Sequence, residues 1–558
     1  MSHKNVLKAQ KKRAEKLLSV GKLPEARLAF VELCKLNSND FQSWLTSAML
    51  ATRLKNYPEA AAAYQHALKL NPNLTDAYFE LAQTQATMGR FTEAQQNYRA
   101  FLMMCPDSDE GYKAYAKLLK RWGRLTEATE NYRKAAELNS GDIETLLELG
   151  SLLQQQGLFD EALIQFNKAK QIKPELAHIY NQIASLYRDT NKPELALQHY
   201  RKAYELAPMQ EASYEFYLGT VYESQGDTDT ALNHFDKAIQ CNPELAEAHL
   251  SRAVCLLKKG EFKQGWAEHE WRRYHPNWLQ QRNHQIPRIP LWDGKASPDK
   301  TILVVAEQGY GDVFQFSRYL PQLAKLFAKV IVRSKPEDAT LLASIEGVDA
   351  IITSIEGINA TQFHAHLHLM SLPYYFGTTL ETIPAKVPYL HAPADTIEHW
   401  HEKIGSDGFK IGLVWAGSPS NVKNQIRNIQ LADLAPLGEI PGIRFFGLQK
   451  GPGSEQAASP PGNMDFTFLG DGIKDFADTA AVISNLDLVI SVDTATAHLA
   501  GALAKPVWTL LYFPSEWRWL ERREDSPWYP SMRLFRQNSD KDWMPVIKRV
   551  ADELRRSI

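Results

Sequence analysis

Cysteine is scarce in this chain. The 558 residues contain four cysteines, Cys34, Cys105, Cys241 and Cys255, and no two of them form a Cys-x-x-Cys pair. So few and so widely spaced thiols exclude a disulfide framework and a cysteine-rich zinc site. We therefore expect a protein of a reducing compartment.

An excess of charge of one sign is also missing. Lys and Arg together number 63 and Asp and Glu 65, which leaves a formal charge of -2. A dedicated nucleic-acid binder needs a basic surface to neutralise phosphates. We therefore expect no nucleic-acid partner.

The chain lacks a long uninterrupted apolar run. The most apolar stretch, residues 486–513, is broken by charged residues and a proline, among them Asp493, Lys505 and Pro506. A membrane-spanning helix tolerates such residues badly. The basic segment of residues 1–22 has no apolar core of the kind that a signal peptide requires. These two absences predict a cytoplasmic protein without a membrane span.

A period of 34 residues runs through the first half of the chain. Pro72, Pro106, Pro174 and Pro208 are separated by multiples of 34, and Ser140 occupies the missing place. Small and aromatic residues recur with the same period: Ala60, Tyr64, Ala67; Ala94, Tyr98, Phe101; Ala128, Tyr132, Ala135; Ala162, Phe166, Ala169; Ala196, Tyr200, Ala203; and, one residue out of step, Gly219, Tyr222, Ala231, Phe235, Ala238. This pattern predicts a repeat array.

These residues resemble the tetratricopeptide repeat, in which small residues lie where two helices cross and an aromatic ring fills the space between them. Seven copies over about 7–245 and a degenerate eighth to about 279 predict an α-solenoid over 1–279. We expect its groove to hold an extended polypeptide. Gly265, Trp266 and Trp271 are expected to cap the last repeat and pack it on the next domain. Prolines at 276, 287, 290 and 298 mark a linker over 280–299.

The second half has the pattern of parallel sheets with crossover helices. Short β-branched or apolar runs alternate with helical segments: 302–305, 330–332, 351–353, and then 411–415, 445–448, 488–490 and 507–511. Prolines between the two series divide the region into an N-terminal lobe over 300–398 and a C-terminal lobe over 399–558. Ligands bind beyond the carboxyl ends of parallel strands, so the residues directly after these runs are the candidates for a site.

Two such places carry polar residues. After the first run, Gly309 and Gly311 allow a tight turn, and Asp312 follows at the start of a helix. A helix cap is the alternative role for Asp312. After the run 488–490 come Asp493, Thr494, Ala495, Thr496 and His498, at the start of another helix. The helix end and the threonine hydroxyls suit a diphosphate; the alternative is a capped helix with His498 in the core.

Gly311-Asp312, the Asp493-Thr494-x-x-x-His498-Leu499-Ala500 run and the Lys505-Pro506 step resemble the heptosyltransferase class of GT-B glycosyltransferases, family 9. With the repeats, the chain resembles bacterial relatives of protein O-glycosyltransferases and the flagellin glycosyltransferases. The resemblance implies two Rossmann-like lobes. It also implies that Asp312 is the acceptor-activating base, and that Asp493, Thr494, Ala495 and His498 line the diphosphate of a nucleotide sugar. The family usually has glycine where this chain has Ala495.

A basic residue facing the diphosphate is also implied by the resemblance. Arg427 is our choice, with Lys423 as the alternative. Gln449 and Lys450 are secondary donor-site candidates because they follow the run 445–448. The donor is a substrate, and no further cofactor is expected.

Three other patterns can be explained either by ligand binding or by a purely structural role. His364, His366 and His368 alternate as three zinc ligands would, but three ligands on one flat strand rarely converge on a metal. The Asp-x-Asp pairs at 107 and 109 and at 227 and 229 fall in repeat turns and are interpreted as caps, which favours a metal-independent reaction. The aromatic and basic cluster of Trp517-Arg518-Trp519, Arg522-Arg523 and Trp528-Tyr529 either stacks on a base or sugar or packs a C-terminal segment across the cleft.

The sequence therefore predicts a cytoplasmic glycosyltransferase that moves a sugar from a nucleotide sugar to a protein acceptor, at a Ser or Thr hydroxyl, held by the repeats. Two other hypotheses stay open. One is a non-catalytic repeat scaffold with a degenerate transferase domain. The other is a transferase that acts on a glycan or a lipid-linked acceptor.

Overall fold

The computed structural model describes residues 3–275, 278, 288–354, 359–417 and 424–558. Lys423, the alternative to Arg427, and two of the linker prolines, at 276 and 287, lie outside the described residues. The chain divides into two compact units, Met1–Thr190 and Asn191–Ile558. Within the described residues no helix is long and apolar enough to cross a membrane.

The first unit consists of helices joined by short turns. They are α1 (His3–Ser19), α2 (Leu23–Leu36), α3 (Phe41–Arg53), α4 (Tyr57–Leu70), α5 (Thr75–Thr87), α6 (Phe91–Met104), α7 (Asp109–Arg121), α8 (Leu125–Leu138), α9 (Ile143–Gln155), α10 (Phe159–Ile172) and α11 (Ala177–Asp189). Glycines with positive φ, such as Gly89 and Gly123, turn the chain between the two helices of a repeat.

The repeat positions predicted from the sequence are buried. Ala94, Ala128 and Ala162 are fully buried, as are the rings of Tyr132 and Phe166. Ala residues at helix crossings let two helices approach closely, and the aromatic ring fills the remaining space. The packing explanation of the period is therefore confirmed.

The second unit begins with five more helices, α12 (Pro193–Leu206), α13 (Glu211–Ser224), α14 (Thr228–Cys241), α15 (Ala246–Lys259) and α16 (Phe262–His269), followed by a 3₁₀ turn, Glu270–Tyr274. The sixteen consecutive helices form the predicted array of helical repeats. Asp227 caps α14 by accepting from the backbone N–H of Thr230, as predicted for a repeat turn. Asp229 pairs with Lys259 instead.

Two parallel sheets follow the repeats. The first has the order β3-β2-β1-β4, with β1 (Ser297–Val305), β2 (Phe327–Arg333), β3 (Ala350–Ile352) and β4 (Ala365–His368). The second has the order β10-β9-β8-β5-β6-β7, with β5 (Phe409–Val414), β6 (Ile443–Gly447), β7 (Phe466–Phe468), β8 (Leu488–Val492), β9 (Val507–Leu511) and β10 (Met532–Arg536).

Helices connect the strands, as a parallel sheet requires. They are α17 (Tyr310–Ser317), α18 (Leu320–Ala324), α19 (Pro336–Leu342), α20 (Leu372–Tyr375), α21 (Ala394–Ile404), α22 (Asn424–Arg427), α23 (Phe476–Ser484), α24 (Ala495–Ala502) and α25 (Met544–Ser557). Each apolar run predicted as a strand overlaps a strand of the structure. No predicted run covers the short strands β4 and β7 or the edge strand β10, because short or charged strands give a weak alternating signal.

The last repeat packs against the sheets within the second unit. The Trp266 ring lies 5.8 Å from Phe316, 5.3 Å from Trp517 and 6.4 Å from Trp528, between ring centres. The capping role predicted for this aromatic residue is confirmed. The compact unit begins at Asn191, so the last repeats belong with the sheets. The finer boundaries at 279, 299 and 398 stay predictions.

One glycine tests the repeat packing directly. A Cβ at Gly150 in α9 would lie 2.4 Å from Phe166 Cε1, whose ring is fully buried. We expect Gly150→Ala to lower the free energy of unfolding by about 1–2 kcal/mol, because overpacking outweighs the gain in helix propensity. Thermal and denaturant unfolding of the full chain measure this.

Gly141→Ala is the control for that prediction. Its Cβ would meet only Asn139 Oδ1, at 3.6 Å, and Gly141 lies in the turn between two repeats. We expect its stability to stay within about 0.5 kcal/mol of the wild type. Equal stability of both variants would contradict the close packing of α9 on Phe166.

Candidate functional site

The first candidate loop connects strand β1 to helix α17. Strand β1 ends at Val305, and Gly309 is the N-cap of α17. The Oδ2 atom of Asp312 accepts a hydrogen bond of 3.0 Å from the backbone N–H of Gly309. Asp312 is therefore a helix cap, the alternative that the sequence left open. The cap does not use its second carboxylate oxygen.

That second oxygen is bound by an arginine from the other sheet. Asp312 Oδ1 accepts from Nη2 of Arg518, whose Nε donates to Gln315 Oε1 at 2.8 Å. Both side chains of the ion pair are nearly buried, at 13% and 14% exposure. Burial lowers the pKa of Arg518, but the charges of Asp312 and Glu516 outweigh it and raise that pKa above its ordinary value. The Arg518 guanidinium is therefore charged in a poorly solvated position, where its hydrogen bond to a carboxylate is strong.

The second candidate loop follows strand β8, which ends at Val492. The Asp493 side chain is buried, and its Oδ2 accepts a hydrogen bond of 3.0 Å from Trp519 Nε1. The carbonyl oxygen of Asp493 accepts from Arg427 Nη1 at 3.0 Å. Burial raises the pKa of the Asp493 carboxyl, and the bond from Trp519 acts against this. Arg427 and Asp493 therefore come together as the sequence predicted.

Helix α24 begins directly after this loop, with Thr494 as its N-cap. The hydroxyl groups of Thr494 and Ser491 are 3.0 Å apart. Thr494 makes no side-chain cap for the helix, and Thr496 lies half-buried in its first turn. The first turn of any helix presents backbone N–H groups that have no acceptor within the helix, together with the positive end of its dipole. This end of α24 suits an anion.

His498 lies one turn further along α24 and is buried. Its Nδ1 is 3.0 Å from the Tyr529 hydroxyl, and its ring stacks on Trp519 with 5.1 Å between ring centres. Burial lowers the pKa of His498 well below its ordinary value, and the charges of Arg518 and Arg318 act in the same direction. His498 is therefore a neutral imidazole held by packing, which agrees with the core role that the sequence left open.

The two loops meet because Gly311 has no side chain. A Cβ at Gly311 would lie 3.0 Å from His498 Cδ2 and 3.6 Å from the Cα atom of Ala495. The N-terminal ends of α17 and α24 thus lie against each other. The structure brings the following candidates together in one region: Gly309, Gly311, Asp312, Arg427, Asp493, Thr494, Ala495, Thr496 and His498. Their roles toward a donor stay predictions.

The secondary candidates have other contacts. Gln449 is buried and accepts from the backbone N–H of Ala416 at 2.9 Å, while its amide donates to Pro452 O. Lys450 Nζ donates to the carbonyl oxygens of Ile473 and Lys474. Gln449 therefore braces the loops after β5 and β6, and Lys450 braces the segment between β7 and α23. Their donor-binding role stays a prediction.

Sequence reasoning missed the role of Arg518 and Trp519 in this site. The sequence offered either stacking on a ligand or packing across the cleft for this cluster. The structure supports the packing: Arg518 contacts α17, and Trp519 contacts Asp493. The available signal was an arginine between two tryptophans after a buried strand, but a sequence alone does not show which carboxylate it meets.

A second buried cluster joins the last repeat to the loop after β1. Glu307 follows that strand, and Arg272 Nη2 lies 2.8 Å from its Oε1; Arg272 Nη2 also donates to Ser371 Oγ at 2.7 Å. Arg272 is paired with Glu270 as well. Although burial raises the pKa of Glu307, the charges of Arg272 and His368 and the bonds from Arg272 and Trp278 lower it to about 2. The cluster carries its charges inside the protein.

The three alternating histidines lie at this edge of the first sheet. Strand β4 contains His366 and His368, which are buried, while His364 precedes the strand and is exposed. His366 Nδ1 is 3.0 Å from the Pro290 carbonyl oxygen. Burial lowers the pKa of His368 to about 4, so its imidazole is neutral near pH 7.

Models of two families match separate parts of the chain. Tetratricopeptide-repeat models match residues 52–89, 75–108, 110–142, 141–209, 181–245 and 216–264. The glycosyltransferase family 9 (heptosyltransferase) model matches residues 458–541. The chain thus has tetratricopeptide repeats in its N-terminal region and a family 9 domain near its C-terminus. The second match includes Asp493, Thr494, His498 and Arg518, whereas Asp312 and Arg427 lie outside it.

Among characterised proteins, the chain is 29% identical over 360 residues to protein FlbA of Caulobacter vibrioides. The alignment spans 59% of this chain and 59% of FlbA, less than two thirds of that relative's length. Among solved structures, YrrB, a TPR protein with an unusual peptide-binding site, is 24% identical, covers 32% of this chain and 93% of its own, and has a TM-score of 0.30. The C-terminal part of a TPR protein from Cytophaga hutchinsonii is 18% identical over 42% of this chain and 97% of its own, with a TM-score of 0.37.

The lowered pKa of Glu307 predicts that the stability of the protein depends on pH. An unfolded glutamate titrates near 4.5, whereas Glu307 in the folded protein titrates near 2, so its contribution to stability is complete above about pH 4.5 and is lost as the pH falls to about 2. We expect Glu307→Gln to lower the free energy of unfolding by about 3 kcal/mol near pH 7, because Arg272 loses a buried partner. The difference in melting temperature from the wild type should shrink between pH 4.5 and pH 2.

Calorimetry of the full chain over this pH range measures the difference. Glu346→Gln, at an exposed position, is the control and should melt close to the wild type at every pH. A gap between wild type and Glu307→Gln that stays constant down to pH 2 would show that Glu307 is not ionised in the folded protein.

Proposed function

We propose that this protein is a metal-independent glycosyltransferase of the GT-B type. It transfers a sugar from a nucleotide-sugar donor to a Ser or Thr hydroxyl of a protein acceptor held by the repeats. The family 9 match supports glycosyltransferase activity at the level of the family. The observation that carries the proposal is the packing of Gly311, the residue directly before Asp312, against Ala495 at the start of α24, a helix end that suits a diphosphate.

The donor diphosphate would bind at the N-terminal end of α24. Three sources of positive potential converge there: the first-turn N–H groups, the dipole of the helix and the guanidinium of Arg427, which bonds to the Asp493 carbonyl oxygen. The Thr494 hydroxyl adds a donor. These groups stabilise negative charge that grows on the leaving diphosphate, so we propose that the reaction needs no metal ion.

The reaction would be a single displacement at the anomeric carbon. The acceptor hydroxyl oxygen forms a bond to that carbon while the bond from the carbon to the diphosphate oxygen breaks. The hydroxyl proton moves to an oxygen of Asp312, and the nucleoside diphosphate leaves with the electron pair. Asp312 then releases the proton to water. Each oxygen of Asp312 already accepts one hydrogen bond and retains a second acceptor site for this proton.

The repeats support the proposal of a protein acceptor. Helical repeats of this kind present extended surfaces that bind polypeptides. The last of them belong to the same compact unit as the two sheets, with Trp266 packed on Trp517 and Phe316. A segment bound by the repeats is thereby tethered to the catalytic region, which raises its effective concentration at the site.

The first test of this function is nucleotide binding. Isothermal titration calorimetry with UDP, GDP and ADP should find one that binds the wild type. Combined Thr494→Ala and Arg427→Ala should weaken that binding by about 2–4 kcal/mol, because charge-assisted hydrogen bonds to the diphosphate are lost. Arg523→Ala is the control, because Arg523 pairs with exposed Asp525. Unchanged affinity in the double variant would rule out this diphosphate site.

The second test concerns the base. Asp312→Asn keeps an oxygen for the Gly309 cap but cannot accept the acceptor proton at a useful rate. We expect transfer to slow by about 10²–10⁴, with the affinity for the donor nearly unchanged. Sugar release from UDP-, GDP-, ADP- and CMP-sugars, with water or a protein acceptor, measures the rate.

Asp433→Asn is the matched control for this test. Asp433 accepts from the backbone N–H of Gln430 at 3.3 Å, in the same capping geometry, at another helical turn. It should leave the rate unchanged. The melting temperatures of both variants are measured on the same preparations. A folded Asp312→Asn protein with the normal rate would exclude Asp312 as the base.

A further inference from the structure

Two consecutive residues of one short turn bind the side chains of Asp312 and Asp493, the two acidic groups of the site. The 3₁₀ turn Trp517–Trp519 follows strand β9 of the second sheet. Arg518 binds the side chain of Asp312, and Trp519 binds the side chain of Asp493. The acid next to the first sheet and the acid next to the second sheet are therefore fixed by neighbouring residues of the same segment.

The position of the Arg518 guanidinium is strongly constrained. Its central carbon, Cζ, lies over the Trp517 ring, 4.5 Å from the ring centre. Its Nε donates to Gln315 Oε1, so one arginine bonds to two residues of α17. Its backbone carbonyl accepts from Trp528 Nε1 at 2.9 Å. Trp517, Trp519 and Trp528 are almost fully buried, so this segment has little freedom to move.

The position of Asp312 depends on this guanidinium. The hydrogen bond from the Gly309 N–H fixes the position of one carboxylate oxygen. It does not by itself fix the second oxygen, because the carboxylate can still rotate about the first. The second bond, from Arg518, fixes the carboxylate plane. A base must be within about 3 Å of the proton that it removes, and a misplacement of 1 Å costs about a hundredfold in rate. A fixed carboxylate plane therefore has a direct effect on catalysis.

We propose that Arg518 is a positioning residue for Asp312. Held by the second sheet, it orients the carboxylate of helix α17 and so fixes the proposed base relative to the donor site at α24. Arg518 exchanges no proton in this role. The inference rests on the proposed function, because it requires Asp312 to act as the base.

The test is a double-mutant cycle of Arg518→Gln and Asp312→Asn in the full chain. The assay measures sugar release from the nucleotide sugar of the UDP, GDP, ADP and CMP series that the wild type turns over fastest. We expect Arg518→Gln alone to lower kcat by about 10–100-fold, with the donor KM within about twofold of the wild type. Arg518→Lys, which keeps the charge, should recover part of the rate.

The cycle separates positioning from other roles. In the Asp312→Asn background, Arg518→Gln should change kcat by less than about twofold, because the residue through which Arg518 acts is already disabled. An arginine that acts on the diphosphate, or only on folding, would slow both backgrounds by the same factor. Equal factors, or a donor KM that rises along with the loss of kcat, would overturn the proposal.

Failure of the proposed function has a different signature. A normal rate in Asp312→Asn would show that Asp312 is not the base and would overturn the proposed mechanism. A slow Asp312→Asn together with a normal Arg518→Gln would overturn only the positioning role. If Arg518→Gln does not fold, the same cycle is run with Gln315→Leu, which removes the other α17 contact of Arg518 and leaves both charges in place. A normal rate in folded Gln315→Leu, with the cycle unchanged, would then overturn the proposal.

Arg523→Gln is the matched control variant. It removes an arginine five residues further along the same segment, whose bonds to Asp525 are largely exposed. Its kcat and donor KM should equal those of the wild type. A loss of rate in Arg523→Gln would show that any disturbance of this segment slows the reaction, and it would also overturn the specific role of Arg518.

Discussion

The buried ion pair between Arg272 and Glu307 is the constraint on which the candidate site depends. Arg272 follows the last repeat helix, and Glu307 follows the first strand of the first sheet. Removing charges from water costs free energy, so buried charges persist only when each has a well-placed partner. Arg272 has three partners: the carboxylates of Glu270 and Glu307 and the hydroxyl of Ser371. The loop that leads to Gly309 and Asp312 therefore starts from a fixed point. Within the second unit, this ion pair joins the last repeat to the first sheet, and Trp266 packs on the aromatic residues nearby.

The site itself follows the same principle, since each of its acidic groups has a well-placed donor. Two helix ends of positive potential face each other at Gly311, and two carboxylates, Asp312 and Asp493, lie beside them. Each carboxylate has a donor from the turn that contains Arg518 and Trp519. Such an arrangement is preorganised, since its dipoles and charges are already oriented before a ligand arrives. The neutral His498 contributes packing, and this keeps α24 close to Tyr529 and Trp519.

The sequence was most informative where a pattern repeats. The 34-residue period indicated the helix pairs, and the apolar runs indicated most strands, because both patterns follow from burial of one face. The residues Asp312, Asp493 and Thr494 were found because chain segments after parallel strands meet at one sheet edge. The contact between Arg518 and Asp312 joins residues that are 206 positions apart in the chain. It could not be predicted from the sequence, because no local pattern encodes a pairing between distant residues. The extent of the compact unit was equally hidden, since the repeats before and after Asn191 have the same period.

The boundary at Asn191 has an evolutionary consequence. A repeat array is a chain of similar units, each of which packs on its immediate neighbours. Upstream of this boundary, the gain or loss of whole repeats alters the length of the array and leaves the residues around Arg272 and Trp266 unchanged. Downstream of it, an insertion would shift helices that pack on the two sheets. The first unit is therefore the part of the molecule in which whole repeats can be added or lost without disturbing the packing of the last repeats on the sheets.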